Sequence, residues 1–433
     1  MREAFFLFCL CFASVSMSGQ LIYQPMGSAT TIGSATNIRS LSTGLVNPAS
    51  AFLMFDDKVF KDDPDGHFRF GIFGPISVGY ETGDLDSLSD ELDGLESVLD
   101  DTDLTYAEAL AAQSQYNAFL ANAGEEGFVK ASVASYVPAF PIIYRHPQWG
   151  AFSFDLILAG EAKMQVLDDE IDIIVSGSDV DLETDSSVYS RAALASVFGL
   201  GYSNQVWRNQ FGSLILGSKL NLTRMKLSRR FSTIENLDQD DDFEESDSFE
   251  NNYSLDFGMI WLMKNTMFGV RATNINEPTY HYDAIGDDCT NKTGTALINC
   301  NAVATFISSG DLTDSGEYVV KRQFSVEASS FLGEGEWSVQ SSLDLNGVED
   351  AVDDKYQWFS MSASHFDKSN WLPGLRAGYS KNLSGTKLDY LSFGVTFLQR
   401  VTFDVSWALD SVEVDGKNMP RSMFASLGLE TAF

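Results

Sequence analysis

The chain has 433 residues and carries 61 Asp and Glu against 28 Lys and Arg, which gives a formal net charge of −33. A field this acidic repels the phosphate backbone that dominates nucleic-acid affinity, so direct nucleic-acid binding is excluded. The sequence contains no Gly-x-Ser-x-Gly elbow, Walker loop, dinucleotide fingerprint or His-Glu-x-x-His motif, and its four histidines are scattered. We therefore expect no enzyme, no cofactor and no metal site.

The first 18 residues have the pattern of a secretory signal peptide. Arg2 precedes an apolar run that ends at Val15, and Ser16 and Ser18 flank a cleavage site. The mature chain is therefore exported and begins near Gly19. Its later sequence has no run of the ~18 apolar residues that a spanning helix needs. If the mature protein lies in a membrane, it crosses that membrane with strands.

The next segment, 19–66, has little periodicity and is rich in small residues, which suits a compact segment packed inside something larger. A first strand follows at 67–81, where Ile72 and Val78 share one face and Ser77 lies on the other. Gly74-Pro75 interrupts this alternation, which predicts a kink or a bulge.

An acidic helical insertion is predicted at 84–124. Leucines from Leu85 to Leu99 recur at intervals of three and four residues, as in an amphipathic helix, and a second helical stretch covers Tyr106 to Ala121. Three interpretations of the pair stay open: a helical hairpin that caps a barrel mouth, a partner-binding surface, or a self-packed insertion.

Strands return at Phe128 and continue to the end of the chain, where the alternation is clearest. Met423, Ala425, Leu427 and Leu429 would suit hydrocarbon, and the small or charged residues between them would suit a wet interior. The last strand of a soluble sandwich is the alternative. With 67–81 the predicted strands number fourteen, an even number as in bacterial barrels. The others are 128–145, 150–165, 186–203, 211–231, 252–263, 266–274, 316–332, 335–346, 355–366, 373–384, 387–398, 400–411 and 420–433.

The connections between these strands are alternately long and short, which favours an outer-membrane barrel with brief periplasmic turns and long extracellular loops. Acidic runs usually form solvated loops, and all five acidic blocks fall in the long set. Those blocks are Asp84–Asp103, Asp168–Asp185, Glu235–Glu250, Asp283–Asp288 and Glu349–Asp354. Cys289 and Cys300 also fall in the long set, and we expect them to form a disulfide in an oxidising compartment.

Charged residues also occur on the faces predicted to line the lumen. These residues are Glu327, Asp344, Arg376, Asp404 and Glu430. Charges of both signs on an inner wall can pair with one another, so a salt-bridged plug and wall is one interpretation and a selectivity or gating ring is the other.

Several short motifs resemble those of TraF-like plasmid-transfer proteins. The amino-terminal Asn47-Pro48-Ala49, which also resembles FadL-type outer-membrane proteins, is followed in the same order by Phe268-Gly269-Val270, Asn274-Ile275-Asn276-Glu277-Pro278 and Gly374-Leu375-Arg376. The resemblance implies a FadL-like barrel in the outer membrane of a Gram-negative bacterium, with Asn47, Pro48 and Ala49 in a plug. The terminal Phe433 resembles the signal that barrel-assembly machinery recognises.

The sequence thus predicts an all-β protein, a transmembrane antiparallel β-barrel of about 14 strands at 67–433 with the plug-like segment 19–66. One functional hypothesis is passage of a hydrophobic small molecule through the lumen. The other is a structural or interaction barrel in conjugal transfer or secretion, which would contact partners through its acidic loops and helical insertion. Outer-membrane lipid and barrel-assembly machinery are expected partners in both cases, and the oligomeric state stays unknown.

Overall fold

A computed structural model describes most of the mature chain. The described residues are 22–55, 68–83, 88–99, 104–146, 148–177, 179–236, 248–286, 289–313, 316–333, 336–366, 373–398, 400–414 and 417–432. The signal peptide predicted at 1–18 and the terminal Phe433 lie outside these residues. In the part of the chain that is described, no helix is long and apolar enough to cross a membrane.

Fourteen antiparallel strands within the described residues form a closed barrel, which confirms the predicted fold class. Each strand pairs with the next along the chain, and β1 also pairs with β14 to close the wall. The strands are β1 (Phe68–Thr82), β2 (Phe128–Tyr136 and Ile142–His146), β3 (Gly150–Leu167), β4 (Ser187–Asn209), β5 (Gly212–Thr233), β6 (Glu250–Leu262), β7 (Thr266–Thr273), β8 (Gln323–Leu332), β9 (Trp337–Asp344), β10 (Trp358–His365), β11 (Gly374–Asn382), β12 (Asp389–Phe397), β13 (Val401–Ala408) and β14 (Ser422–Ala432).

The wall is irregular where β1 meets its two neighbours. The register of β1 on β14 shifts on both sides of Phe73, next to Gly74-Pro75, as the sequence predicts. On the other side, residues 137–141 interrupt β2, and there the Gly71 N–H donates to the Pro141 carbonyl. Proline has no N–H for a ladder hydrogen bond, so both interruptions follow from the position of a proline.

The two faces of the wall differ as an outer-membrane barrel requires. Along β1, Val78 is 52% exposed on the outside, while Ser77 on the inside is 1% exposed. On β14, Leu427 is exposed outward and Ser426 is buried inward. Exposed aromatic residues gather at the short turns, where they form the girdle expected at a membrane interface. They are Trp149, Trp207, Phe211, Trp261 and Trp337.

The helical insertion packs on itself and on a neighbouring loop, as in the self-packed interpretation, and its outer surface is still free to bind a partner. Helices α3 (Leu88–Leu99) and α4 (Tyr106–Glu126) bury Leu95, Tyr116 and Leu120 against the neighbouring hairpin Asp172–Ser176 and Asp179–Glu183. Thr105 caps α4 through a capping box with Glu108. The predicted end of the second helix at Ala121 is five residues short, because Ala123 also packs inward.

The long loop between β7 and β8 folds over the same end of the barrel. Its strands Thr279–His281 and Glu317–Val319 pair, and helix α5 (Thr295–Ser309) packs Phe306 against Phe231 of β5. Cys289, in a 3₁₀ turn Cys289–Asn291, is joined by a disulfide to Cys300 of α5, with 5.7 Å between their Cα atoms. Two further short hairpins lie in long loops, at Val348–Glu349 with Lys355–Tyr356 and at Ser411–Val414 with Lys417–Pro420.

Residues 22–55 run through the lumen from this long-loop end towards the short-turn end. They include two short helices, α1 (Ala29–Ile32) and α2 (Leu41–Gly44), and the 3₁₀ helix Pro48–Phe55. At the short-turn end, Met54 packs against Ile143 and Ala151. We call residues 22–55 the plug.

Candidate functional site

The plug is held by hydroxyl and amide groups. Its Thr31 hydroxyl donates to Asp404 at 2.6 Å, and its Ser34 hydroxyl donates to Ser342 at 2.9 Å. The Thr36 hydroxyl donates to Glu327 at 3.1 Å. Two of the predicted lumen-facing carboxylates therefore contact the plug directly.

The Asn47-Pro48-Ala49 motif has its own site on the wall. The Asn47 side-chain amide donates to Glu327 at 2.7 Å, and its carbonyl oxygen accepts from the Ala49 N–H at 3.0 Å. Gly217 of β5 and Gly258 of β6 lie opposite each other under the motif. A Cβ atom on Gly217 would overlap the Pro48 carbonyl, and one on Gly258 would overlap the Asn47 side-chain oxygen. We call these two residues the glycine pair.

Three of the predicted wall charges form ion pairs within the wall. Arg376 and Asp404 form a two-pronged salt bridge with N–O distances of 3.0 and 2.9 Å, and both side chains are buried. Asp344 accepts from the Ser325 hydroxyl at 2.7 Å and lies 3.6 Å from Arg271. These contacts correspond to the salt-bridged plug and wall interpretation. The backbone of Glu430 pairs with Gly71, and its side chain lies outside the described residues.

The expectation that every acidic block forms a solvated loop is wrong for Glu349–Asp354. Asp350 is fully buried, and Lys130 of β2 forms ion pairs with Asp350 and with Asp354, the latter at 3.0 Å. Lys163 of β3 lies 2.6 Å from Asp354, and Glu161 lies 3.4 Å from Lys130. We call Lys130, Glu161, Lys163, Asp350 and Asp354 the mouth cluster. The correction has a physical reason: cationic wall residues compensate carboxylates that would otherwise need water.

The two loop carboxylates of the mouth cluster differ in their proton affinity. Burial raises the pKa of Asp350, although Lys130 opposes this shift. Burial also acts to raise the pKa of Asp354, but Lys130 and Lys163 outweigh it and hold that pKa below its ordinary value. Asp350 also accepts from the N–H groups of Val352 and Asp354 at 3.0 and 2.9 Å, which fixes the loop conformation.

The β7–β8 loop packs on the β9–β10 loop at the long-loop end of the barrel, and we call its residues Tyr280, Tyr282 and Tyr318 the cover. Tyr280, Tyr282 and Tyr318 are buried against the inner face of β4 and β5. The Tyr282 hydroxyl donates to the Ala351 carbonyl, one residue from the buried Asp350. The cover and the mouth cluster are thus one connected structure.

A cavity of about 370 Å³ lies between the plug and the inner face of the wall. One side is aromatic, and there Tyr23 of the plug stacks on Tyr356 and Trp358 with centroid distances of 4.5 and 5.0 Å. Tyr136, Tyr390 and Phe424 extend this aromatic side. The other side is polar and comprises Lys219, Asn221, Ser254, Asp256, Arg271, Gln323 and Asp344.

The charges on the polar side are compensated locally. Lys219 lies 2.9 Å from Asp155, an ion pair that is not aligned as a hydrogen bond. Asp256 accepts from the Asn221 amide at 2.7 Å and from the Asn274 N–H at 2.8 Å. The cavity can therefore hold an apolar body while offering it a few oriented polar groups.

The described histidines contact groups other than serine hydroxyls. His146 accepts from backbone N–H groups and stacks on Trp149, His281 pairs with Glu250 and His365 packs on Trp337. Among the residues that the structure describes, no group of three or more His, Cys, Asp or Glu is placed to hold a metal ion.

Sequence reasoning missed the glycine pair, the mouth cluster and the aromatic cavity. Two of these left a signal. Gly217 and Gly258 both lie at inward positions of strands, and Phe424 is a large aromatic residue in the inward set of β14. No local pattern signals the contact of Lys130 with Asp350, because the two are 220 residues apart.

Comparisons with known proteins bear on family and fold. The model of a family described as "F plasmid transfer operon, TraF, protein" matches residues 44–344. No curated protein is similar enough to match the chain. Solved structures that resemble this one include the Pseudomonas putida toluene transporter TodX, with 10% identity, a TM-score of 0.41 and coverage of 96% of this chain and 98% of that chain.

Two further structures resemble this one. A Pseudomonas aeruginosa FadL homologue has 9% identity and a TM-score of 0.35, with coverage of 96% of this chain and 99% of that chain. An active-site mutant of outer membrane phospholipase A from Escherichia coli has 9% identity and a TM-score of 0.27, with coverage of 89% and 96%.

Proposed function

This chain belongs to the family described as the F plasmid transfer operon TraF protein, and we propose that it is an outer-membrane barrel that passes a small, mainly hydrophobic molecule through its lumen. The observation that carries the proposal is the cavity of about 370 Å³ with its aromatic side. Ligand sites of ~300–1,000 Å³ are typically apolar with a few oriented polar groups, and this cavity fits that description.

The surroundings of the cavity support a gated route. The cover formed by Tyr280, Tyr282 and Tyr318 packs inside the long-loop end of the barrel, and the plug lines one side of the cavity. Many plug contacts are hydrogen bonds between uncharged groups, such as those of Ser34 with Ser342 and of the Ser329 hydroxyl with the Thr36 carbonyl. Such neutral bonds contribute ~1 kcal/mol each, so the plug can rearrange without a large loss of stability.

The test is mass spectrometry of organic extracts from protein purified out of native outer membranes, with detergent exchanged for an amphipathic polymer. We expect about one apolar ligand per barrel. Val197→Phe, which places an aromatic ring in the cavity, should remove that ligand because the space is filled.

Ser196→Phe is the matched control, since it adds the same ring one residue away on the outward face of β4. This variant should keep the ligand. The same content of apolar ligand in extracts from the wild type, Val197→Phe and an unrelated barrel would contradict the proposed function.

A second candidate is an interaction barrel, which is favoured by the plasmid-transfer description of the family. Helix α4 exposes two large side chains on the outer surface of the insertion, Tyr106 at 57% and Leu110 at 50%. Aromatic and aliphatic side chains exposed in this way are typical anchors of a protein interface.

If α4 binds a partner, the double variant Tyr106→Ser and Leu110→Ser should lose the proteins that co-purify with the barrel. Ile174→Ser and Val175→Ser form the control, because these exposed residues lie on the neighbouring hairpin against which the insertion packs. An unchanged set of co-purifying proteins in the α4 variant would remove the basis of this candidate.

A further inference from the structure

Three N–H groups on the cavity wall have no hydrogen-bond partner in the described part of the protein. They are Arg271 Nε, Gln323 Nε2 and Trp358 Nε1, and all three are buried. Gln323 is 8% exposed, and the Arg271 side chain is 10% exposed. Every unpaired buried atom on the cavity lining is thus a donor, and a buried donor without an acceptor costs free energy.

The three donors lie around one carboxylate. Arg271 lies 3.6 Å from Asp344, and the Trp358 backbone N–H donates to Asp344 at 3.0 Å. Gln323 is two residues from Ser325, whose hydroxyl also donates to Asp344. The donors therefore come from β7, β8 and β10, on the part of the wall around Asp344, and they line the same cavity.

The charges of the cavity lining determine whether the ligand group that meets these donors is neutral or ionised. The lining has two cations, Lys219 and Arg271, and two carboxylates, Asp256 and Asp344. Each cation is already close to a carboxylate, because Lys219 pairs with Asp155 and Arg271 lies beside Asp344. A carboxylate on the ligand would be buried without a free counter-charge, which is costly. A neutral oxygen meets the donors without that cost.

The aromatic side lies next to the same donors. Trp358 contributes both an unpaired N–H and a ring that stacks on Tyr23 and packs on Tyr390. An apolar body on these rings would bring an attached oxygen to the indole N–H. The position of the donors thus matches a molecule whose acceptor is joined directly to its apolar part.

Building on the proposed function, we propose that the cavity selects uncharged molecules that have an aromatic or aliphatic body and a carbonyl-type oxygen, which accepts from Arg271, Gln323 and Trp358. Discrimination between ligands then depends on donors on the wall and not on the shape of the cavity alone.

Equilibrium dialysis against the barrel in an amphipathic polymer tests this assignment with three probes of similar shape. Acetophenone carries a neutral carbonyl, α-methylstyrene replaces its oxygen with a CH₂ group, and benzoate carries an anionic carboxylate. We expect acetophenone to bind about tenfold more tightly than either of the others, which corresponds to the contribution of a hydrogen bond to a buried donor.

Variants identify the donors. Gln323→Leu and Trp358→Phe should each reduce the preference for acetophenone over α-methylstyrene to about threefold or less. Gln340→Leu is the matched control, because Gln340 is a buried wall glutamine that already bonds to Ser338 and Ser362 and lies away from the cavity. This control should keep the wild-type preference.

The possible failures are distinguishable. Equal binding of acetophenone and α-methylstyrene would overturn the ligand class and leave the proposed function in place. Tightest binding of benzoate would overturn the requirement for a neutral oxygen, and a preference unchanged in Gln323→Leu and Trp358→Phe would overturn the assigned donors. Binding of none of the probes would overturn the inference and count against the proposed function as well.

Discussion

Lys130→Met should destabilise the barrel by about 3–5 kcal/mol, because it removes the central cation of the mouth cluster and leaves its carboxylates buried. Lys130 contacts Glu161, Asp350 and Asp354, and its Nζ also donates to the Tyr356 hydroxyl at 2.7 Å. The Lys130 side chain is 4% exposed and that of Asp350 is 0% exposed. Water therefore cannot replace the lost charge. Denaturant unfolding in lipid, followed by tryptophan fluorescence, measures the change.

The loss of unfolding free energy in Lys130→Met should also depend on pH. Burial already raises the folded-state pKa of Asp350 above its unfolded value, and the loss of Lys130 removes the cation that opposes this shift. A carboxyl whose pKa is raised by folding destabilises the protein above that pKa, and this cost disappears as the pH falls towards the unfolded value near 4. The difference in unfolding free energy between variant and wild type should therefore be larger at pH 7 than at pH 5.

Lys355→Met is the matched control for this prediction. Lys355 lies in the same loop and pairs with Glu349 at 3.2 Å, but both side chains are about half exposed. An exposed pair contributes ~0–1 kcal/mol, so this variant should stay close to the wild type. If Lys130→Met were as stable as Lys355→Met at pH 7, the mouth cluster would not stabilise the fold.

The barrel itself could be predicted from local patterns. Alternation along β14 distinguishes Leu427 from Ser426, and the structure exposes the first and buries the second. This prediction is possible because side chains on a strand point alternately to lipid and lumen. Apolar and polar residues therefore alternate along the sequence of each strand. The alternation of long and short connections likewise indicates which end of the barrel carries the long loops.

The site could be predicted only in part, because its contacts are distant in sequence. Asn47 and Glu327 were singled out separately, yet their hydrogen bond joins residues 280 positions apart. An acidic run such as Glu349–Asp354 looks the same whether it is solvated or paired, since the deciding cation lies elsewhere in the chain. The aromatic cavity likewise depends on how Tyr23 of the plug meets Trp358 of the wall.

Replacing the glycine pair should open the barrel. In Gly258→Val, the new side chain would occupy the position of the Asn47 side-chain oxygen, and in Gly217→Val it would occupy that of the Pro48 carbonyl. Overpacking of this kind costs ~1–3 kcal/mol, and here the plug can relieve it by leaving the wall. Each 1.4 kcal/mol raises the ratio of open to closed barrels about tenfold. Single-channel recording in planar bilayers should show a closed wild type and a double variant that conducts.

Gly347→Val is the control for added bulk, because a Cβ there would meet no atom closer than 3.5 Å. It should remain closed, and all variants should keep the electrophoretic shift on heating that marks a folded barrel. A folded double variant that stays closed would show that the glycine pair does not hold the plug.

Asn47→Leu distinguishes the two interactions that hold the plug at the glycine pair, which are close backbone packing and the hydrogen bond to Glu327. It removes the hydrogen bonds of the Asn47 side chain to Glu327 and from the Ala49 N–H, but leaves both glycines free for the backbone of Pro48. If close packing of the backbone holds the plug, Asn47→Leu should conduct less often than the glycine variants. If the bond to the buried wall carboxylate dominates, it should conduct as often, because Glu327 would then lose its amide donor. The ranking of the variants by how often they conduct thus shows whether close packing against the wall or the bond to the wall carboxylate keeps the barrel closed.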